Sequence, residues 1–259
     1  GQLFELLRFP SVSTLAENAG DIGHAADWLV GYLNEIGLDK AQKYPTAGHP
    51  MVYAEWLGAG SSMPTLLVYG HYDVQPADPL ELWKTPPFEP TLAGDHLFCR
   101  GASDDKGQLM ALLAAIESYL KTAGRLPLNI KVLLEGEEEI LSPSMGPFLA
   151  EHTQQLGCDA VIICDDSILN PQTPVITYGL RGNCYMEIEV TGPTGDLHSG
   201  SFGGAVDNPL NVLVRLLAAL QDGTTRKVLI PGFYDKVRKI SDEEGALLTS
   251  FPSSDAETL

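Results

Sequence analysis

Three short runs along the chain are apolar at nearly every position: Thr65 to Tyr69 (TLLVY), Ile130 to Leu134 (IKVLL) and Ala160 to Cys164 (AVIIC). A strand with one wet face alternates polar and apolar residues, so continuous runs of this length predict strands buried on both faces. Helical periodicity separates them. Apolar residues recur at three- and four-residue spacing from Ala25 to Ile36, with Gly37 as a stop, and again from Gln108 to Leu120 and from Pro209 to Leu220, where Pro209 suits a first helical turn. Strands alternating with helices predict an α/β fold with a mostly parallel sheet covered by helices.

The pattern changes after Thr177. Cys184 to Val190 (CYMEIEV) alternates as a half-exposed strand does, and a Gly-rich loop and an amphipathic helix follow. The expected organisation is a first domain over residues 1–182 and a smaller α+β domain over residues 183–259.

With 259 residues and 44% hydrophobic content the chain can bury a large core. Sixteen Lys plus Arg against 34 Asp plus Glu give a formal charge of -18, which repels nucleic acid and anionic membrane surfaces. No apolar run reaches the roughly 18 residues of a membrane span, and the opening GQLFELLRFPSVST lacks a basic stretch followed by an apolar one. The four cysteines form no CxxC pair, which favours a reducing, cytoplasmic setting.

So large a carboxylate excess directs attention to where acids cluster. Each of the three buried runs ends in such a cluster: TLLVY leads into Gly70-His71-Tyr72-Asp73, IKVLL into Glu135 to Glu139 (EGEEE), and AVIIC into Asp165-Asp166. Asp104-Asp105 lies in the loop RGASDDKGQ just before the helix at Gln108. Taken singly, each has an ordinary structural explanation: a satisfied histidine, a helix cap, a solvated turn. Together, parallel neighbouring strands would bring all of them to one rim, beyond the strand carboxyl ends where open α/β sheets bind ligands. Several carboxylates around one His stay ionised in a partly buried site only if a cation opposes them. One imidazole with several carboxylates suits Zn²⁺, Mn²⁺ or Co²⁺, and the surplus of carboxylates points to two ions sharing an Asp.

The ordered set GHYDVQP (70–76), RGASDDKG (100–107), EGEEE (135–139), CDDS (164–167), TYGLRG (177–182) and DLHSGSFGG (196–204) resembles the M20 metallopeptidases. It is most similar to their dipeptidase-like branch, with carnosinase-like and cysteinylglycine-type enzymes. The resemblance implies a metal-dependent exopeptidase-like catalytic domain with a lid or dimerisation domain, both incomplete, and two bound divalent ions, taken as Zn²⁺ with Mn²⁺ or Co²⁺ as alternatives. It implies that His71 and Asp165 ligate one ion, that Asp104 bridges, and that Glu139 ligates the other. Glu138 becomes the general base, Asp73 the carboxylate that orients His71, and His198 a substrate contact in the active site of a partner subunit, hence a homodimer. The implied reaction is peptide-bond hydrolysis in dipeptides or short peptides.

Rival expectations are an N-acyl amino acid deacylase or carboxypeptidase of the same type, and a non-catalytic metal-binding homologue. Family chains are longer and carry a further histidine ligand past the second domain. None of His24, His49, His96 and His152 occupies such a position, so the sequence reads as a fragment. Glu137 stands where many relatives have an apolar residue, and its sequence context offers no reason.

Overall fold

In the computed structural model, which describes residues 1–166, 168 and 175–250, the chain divides into two compact units, 1–168 and 169–259. The first contains α1 (Gln2–Leu7), α2 (Ala19–Glu35), β1 (Asp39–Tyr44), β2 (Met51–Trp56), β3 (Thr65–His71), the short hairpin β4 (Thr91–Ala93) and β5 (His96–Phe98), and α3 (Lys106–Ala123). β6 (Asn129–Glu135), α4 (Met145–Glu151), α5 (Thr153–Leu156) and β7 (Ala160–Ile163) complete it.

The five-stranded sheet runs in the order β1-β2-β6-β3-β7. The three runs anticipated as strands are its parallel members, with β3 pairing β6 on one side and β7 on the other. β1 and β2 add two antiparallel ladders, so the sheet is mixed. β1 is an exposed edge and β7 closes the other side of the described sheet, with Val161 53% and Ile163 59% exposed. The expectation that all three apolar runs are covered on both faces fails for β7, which among the described residues is an edge strand with exposed side chains.

Side chains alternate across the sheet and build a core on each face. Val52, Ala54, Val68, Ile130, Val132 and Leu134 pack against Ile22, Leu29 and Leu33 of α2 and Leu109, Leu113 and Ile116 of α3. Met51, Tyr53, Leu67 and Leu133 face the other way, toward Phe148 of α4 and Leu156 of α5. Truncating a fully buried member such as Leu113 to Ala would cost about 2–5 kcal/mol. α3 carries the chain from β3 to β6, while α4 and α5, on the opposite face, carry it from β6 past β3 to β7. These crossovers leave over opposite faces, the arrangement in which open α/β sheets bind ligands just beyond the carboxyl ends of their strands.

The described part of the second unit holds α6 (Ser199–Phe202), α7 (Pro209–Ala218) and α8 (Asp242–Thr249). α7 begins at Pro209 as its sequence predicts, capped by Asn208, whose side chain accepts the Leu210 N–H. Cys184 to Val190 forms no strand: Tyr185 and Met186 are 93% and 73% exposed, and no other described segment pairs with it. Alternation can mark a strand only where a neighbour supplies hydrogen bonds and an apolar face. Among the described residues, no helix is long and apolar enough to cross a membrane, and all four cysteines are free.

Candidate metal centre

His71 is the last residue of β3 and is fully buried. Its Nε2 lies 3.1 Å from Asp104 Oδ1 and 3.5 Å from Asp165 Oδ2. One ligand atom from each of the three residues lies within 4.8 Å of the other two. They come from the end of β3, the loop before α3 and the end of β7, which the parallel pairing sets side by side.

On the other side of the ring, His71 Nδ1 is 3.1 Å from the Asp73 carbonyl and 3.4 Å from the Asp73 carboxylate. One N–H faces both oxygens of the same residue, which fixes the ring plane and leaves Nε2 toward Asp104 and Asp165. The Asp73 carboxylate has further partners: Oδ1 accepts the Glu138 N–H at 3.2 Å and Oδ2 the Glu139 N–H at 3.1 Å. Glu138 and Glu139 open the short 3₁₀ turn that follows β6, and Gln75 donates to the Glu139 carboxylate at 2.7 Å.

The loop RGASDDKG is held by its glycines. A Cβ at Gly107 would lie 2.1 Å from the Ala102 carbonyl oxygen, and Gly101 has φ +82. Asp105 precedes α3 but caps nothing with its side chain; its Oδ2 instead accepts the His71 N–H at 3.2 Å. Helix capping thus does not explain the acidic pair: Asp104 meets the imidazole and Asp105 the backbone of the same histidine.

The electrostatics show what the cluster lacks. Burial alone would lower the His71 pKa, but Asp73, Asp105 and Asp165 outweigh it and push the imidazole up to about 10. Burial pushes Asp105 up to about 7, and burial with neighbouring carboxylates raises Glu138, Glu139 and Asp165. Among the described residues no Lys or Arg pairs with Asp104, Asp165, Glu138 or Glu139. Lys106, the nearest lysine in sequence, is turned into the core, where burial lowers its pKa to about 7. A borderline divalent cation fits this donor set of one imidazole and several carboxylates, and it would remove the conflict.

The chain matches peptidase family M20/M25/M40 over residues 67–252. It belongs to that family. It is 36% identical over 270 aligned residues to a Cys-Gly metallodipeptidase of Candida albicans, covering 98% of this chain and 55% of that protein. It is 38% identical over 238 residues to a Beta-Ala-His dipeptidase of Rattus norvegicus, covering 91% and 47%. Among solved structures, an M20 family metallo-carboxypeptidase of Sulfolobus solfataricus superposes with a TM-score of 0.79 at 37% identity, over 99% of this chain and 57% of that one. Human carnosine dipeptidase 1 superposes with a TM-score of 0.73 at 29% identity, over 98% and 56%. This M20 chain thus spans about half the length of the relatives it matches.

Within the M20 chain, His71, Asp104 and Asp165 come together; Glu139 is not part of that three-residue group, although Asp104 adds to the upward push on its pKa. His198 lies in the second unit, exposed, with Nδ1 accepting the Gly200 N–H at 3.1 Å. Ser167 of the CDDS motif and residues 251–259 lie outside the described residues.

Sequence reasoning missed Glu137. It is 1% exposed, and its carboxylate accepts the His49 N–H at 2.9 Å and the Ser144 N–H at 3.1 Å. It ties the turn bearing Glu138 to the 45–50 loop and to the start of α4. An apolar residue there would leave the buried Ser144 N–H unpaired, at about 1–3 kcal/mol, and would free the partly exposed His49 N–H. No side-chain motif could have signalled this, because both partners are backbone.

Proposed function

We propose that this chain is the metal-binding half of a dipeptidase that hydrolyses short polar dipeptides. The observation that carries the reading is the convergence of His71, Asp104 and Asp165, with Glu138 beside them on a turn fixed by Asp73. His71, Asp104 and Asp165 would hold a divalent ion, and Glu139 would contribute to a second. Bound Zn²⁺, Mn²⁺ or Co²⁺ ions would polarise the scissile carbonyl and lower the pKa of the attacking water.

The remaining chemistry belongs to side chains. Glu138 takes a proton from the attacking water and returns it to the leaving amine, and its raised pKa brings it nearer the range useful for a base at neutral pH. Asp73 keeps that carboxylate in place through the turn's backbone. His198, supplied by a second copy in a homodimer, donates from Nε2 to the oxyanion, because Nδ1 is already an acceptor for Gly200 N–H.

The dipeptide class is supported by relatives named for Cys-Gly and β-Ala-His substrates. The test is the full-length protein, stripped and reloaded with Zn²⁺, Mn²⁺ or Co²⁺ and assayed on Cys-Gly, β-Ala-His, N-acyl amino acids and longer peptides. Metal-dependent cleavage of the dipeptides supports the proposal. Turnover confined to N-acyl amino acids or to longer peptides would replace it with the deacylase or carboxypeptidase reading, and metal binding without turnover of any substrate with a non-catalytic one.

A further inference from the structure

We infer that the N-terminal segment over residues 2–13 is a clamp that sets the spacing of two metal-ligand loops, with Lys106 and Ser11 as its positioning residues. This rests on the metal centre proposed above.

Lys106 is 0% exposed and has no carboxylate partner within ion-pair distance among the described residues. Its Nζ donates to the Leu6 carbonyl at 3.1 Å and the Phe9 carbonyl at 2.8 Å, about a hundred residues away in sequence. Leu6 lies in the last turn of α1 and Phe9 just past its end; their carbonyls also accept the Phe9 N–H at 3.3 Å and the Ser11 N–H at 2.8 Å, so Lys106 joins an existing backbone turn. A lysine in an apolar interior carries a desolvation cost that its hydrogen bonds must offset. Tethering α1 with a residue two positions from Asp104 fastens that loop to the N-terminal segment.

Ser11 makes the second attachment. It is also 0% exposed; its Oγ donates to the Tyr72 carbonyl at 2.6 Å, and its own carbonyl accepts the Val74 N–H at 3.0 Å. Val12 forms a parallel bridge with Val74. These contacts bracket Asp73 and begin one residue after His71.

The two attachments meet at Gly101. A Cβ there would lie 2.9 Å from Val74 Cγ1 and 3.3 Å from Lys106 Cδ, so the Asp104 loop, the Asp73 loop and the lysine stem pack without spare room. One segment therefore grips the His71 loop through Ser11 and the Asp104 loop through Lys106. Coupling of this kind is reciprocal: if the clamp favours the ligand geometry, metal must stabilise the clamp by the same free energy.

The experiment uses the full-length protein with Zn²⁺ alone, reading affinity by calorimetry and amide exchange by mass spectrometry, with melting of each metal-free variant as a control for folding. Zn²⁺ should slow exchange in α1 as well as around residues 71–74. Lys106→Met, which keeps the stem and removes the donors, should weaken Zn²⁺ about tenfold or more and abolish the protection of α1. Ser11→Ala should do likewise and Ser11→Thr should restore both; this pair carries the test if Lys106→Met does not fold. Folded variants that bind Zn²⁺ as tightly as the unaltered chain, or Zn²⁺ protection confined to the ligand loops, would overturn the clamp. If the unaltered chain binds no Zn²⁺, the metal centre itself is misread, an outcome distinct from failure of the clamp alone.

Discussion

The carboxylate of Asp73 accepts the backbone N–H of Glu138 at 3.2 Å while the same residue faces the ring of His71 through Nδ1. One side chain thereby sets the imidazole of a proposed ligand and the backbone of the proposed base. Its own charge is held by two N–H donors, since Glu139 N–H occupies the other oxygen.

This geometry makes Asp73→Asn informative. An amide can offer only one oxygen to the two N–H groups and turns its NH₂ toward the second, so the Glu138–Glu139 turn must shift. In the full-length enzyme the expected loss is about 10- to 100-fold in activity or metal affinity. Steady-state kinetics beside a Zn²⁺ titration check it, and unchanged values in both would remove Asp73 from the site.

Glu138→Gln separates base from ligand. The full-length variant should retain its metal and lose about 10²- to 10⁴-fold in kcat, because no donor to the ions is removed. Metal analysis of the purified variant decides the assignment. Loss of metal would show that Glu138 and Glu139 have exchanged roles.

How much of this was legible beforehand depended on the kind of partner each residue has. β3, β6 and the acidic clusters at their ends could be read because covered strands are mostly apolar until they end, so His71 and Glu135 to Glu139 stand out at the boundary. β1 could not: DKAQKY is an exposed edge, and only its pairing with β2 makes it a strand. The burial of Glu137, Asp105 and Lys106 has no signature in the local pattern, because their partners are backbone groups from other segments. Tertiary contacts, not local pattern, bury them.

Leu141 offers a prediction about stability. It has φ 70 and is 94% exposed, so a left-handed backbone is imposed on a side chain that gains nothing from burial. The left-handed conformation costs a non-glycine residue roughly 1–2 kcal/mol, against roughly 0.5–1 kcal/mol of extra backbone entropy lost by glycine. Leu141→Gly should therefore leave stability unchanged or raise it by up to about 1 kcal/mol. A clearly lowered melting temperature would mean that Leu141 has contacts that its exposure hides.

The acidic cluster predicts an unusual pH response in the metal-free chain. Burial raises Asp105 from 3.8 to about 7, and the surrounding carboxylates hold His71 at about 10. A group with a raised folded-state pKa contributes stability that is complete below its unfolded pKa and is lost as pH rises through the folded value. For Asp105 that window runs from 3.8 to about 7, and His71 acts in the same direction above it. Zn²⁺ requires deprotonated donors, so its affinity rises as this stability falls. Melting curves with Zn²⁺ and with chelator should diverge as pH increases through the window, and converging curves would count against a cation at this cluster.

His198 makes the quaternary prediction. Its Nδ1 accepts the Gly200 N–H, which leaves Nε2 as the donor on an exposed ring in the second unit. If that donor serves the site of a second copy, each site takes its base from one chain and its histidine from the other, and two dead variants can complement. Full-length His198→Ala mixed with an equal amount of full-length Glu138→Gln gives, on random reassortment, half heterodimers. In each heterodimer one site has both an intact Glu138 and an intact His198, and the other has neither. The mixture should recover up to about a quarter of normal activity. Subunit exchange is verified separately, for instance with differently tagged chains. Complete exchange with no recovered activity would place His198 within its own chain's site or outside the chemistry altogether.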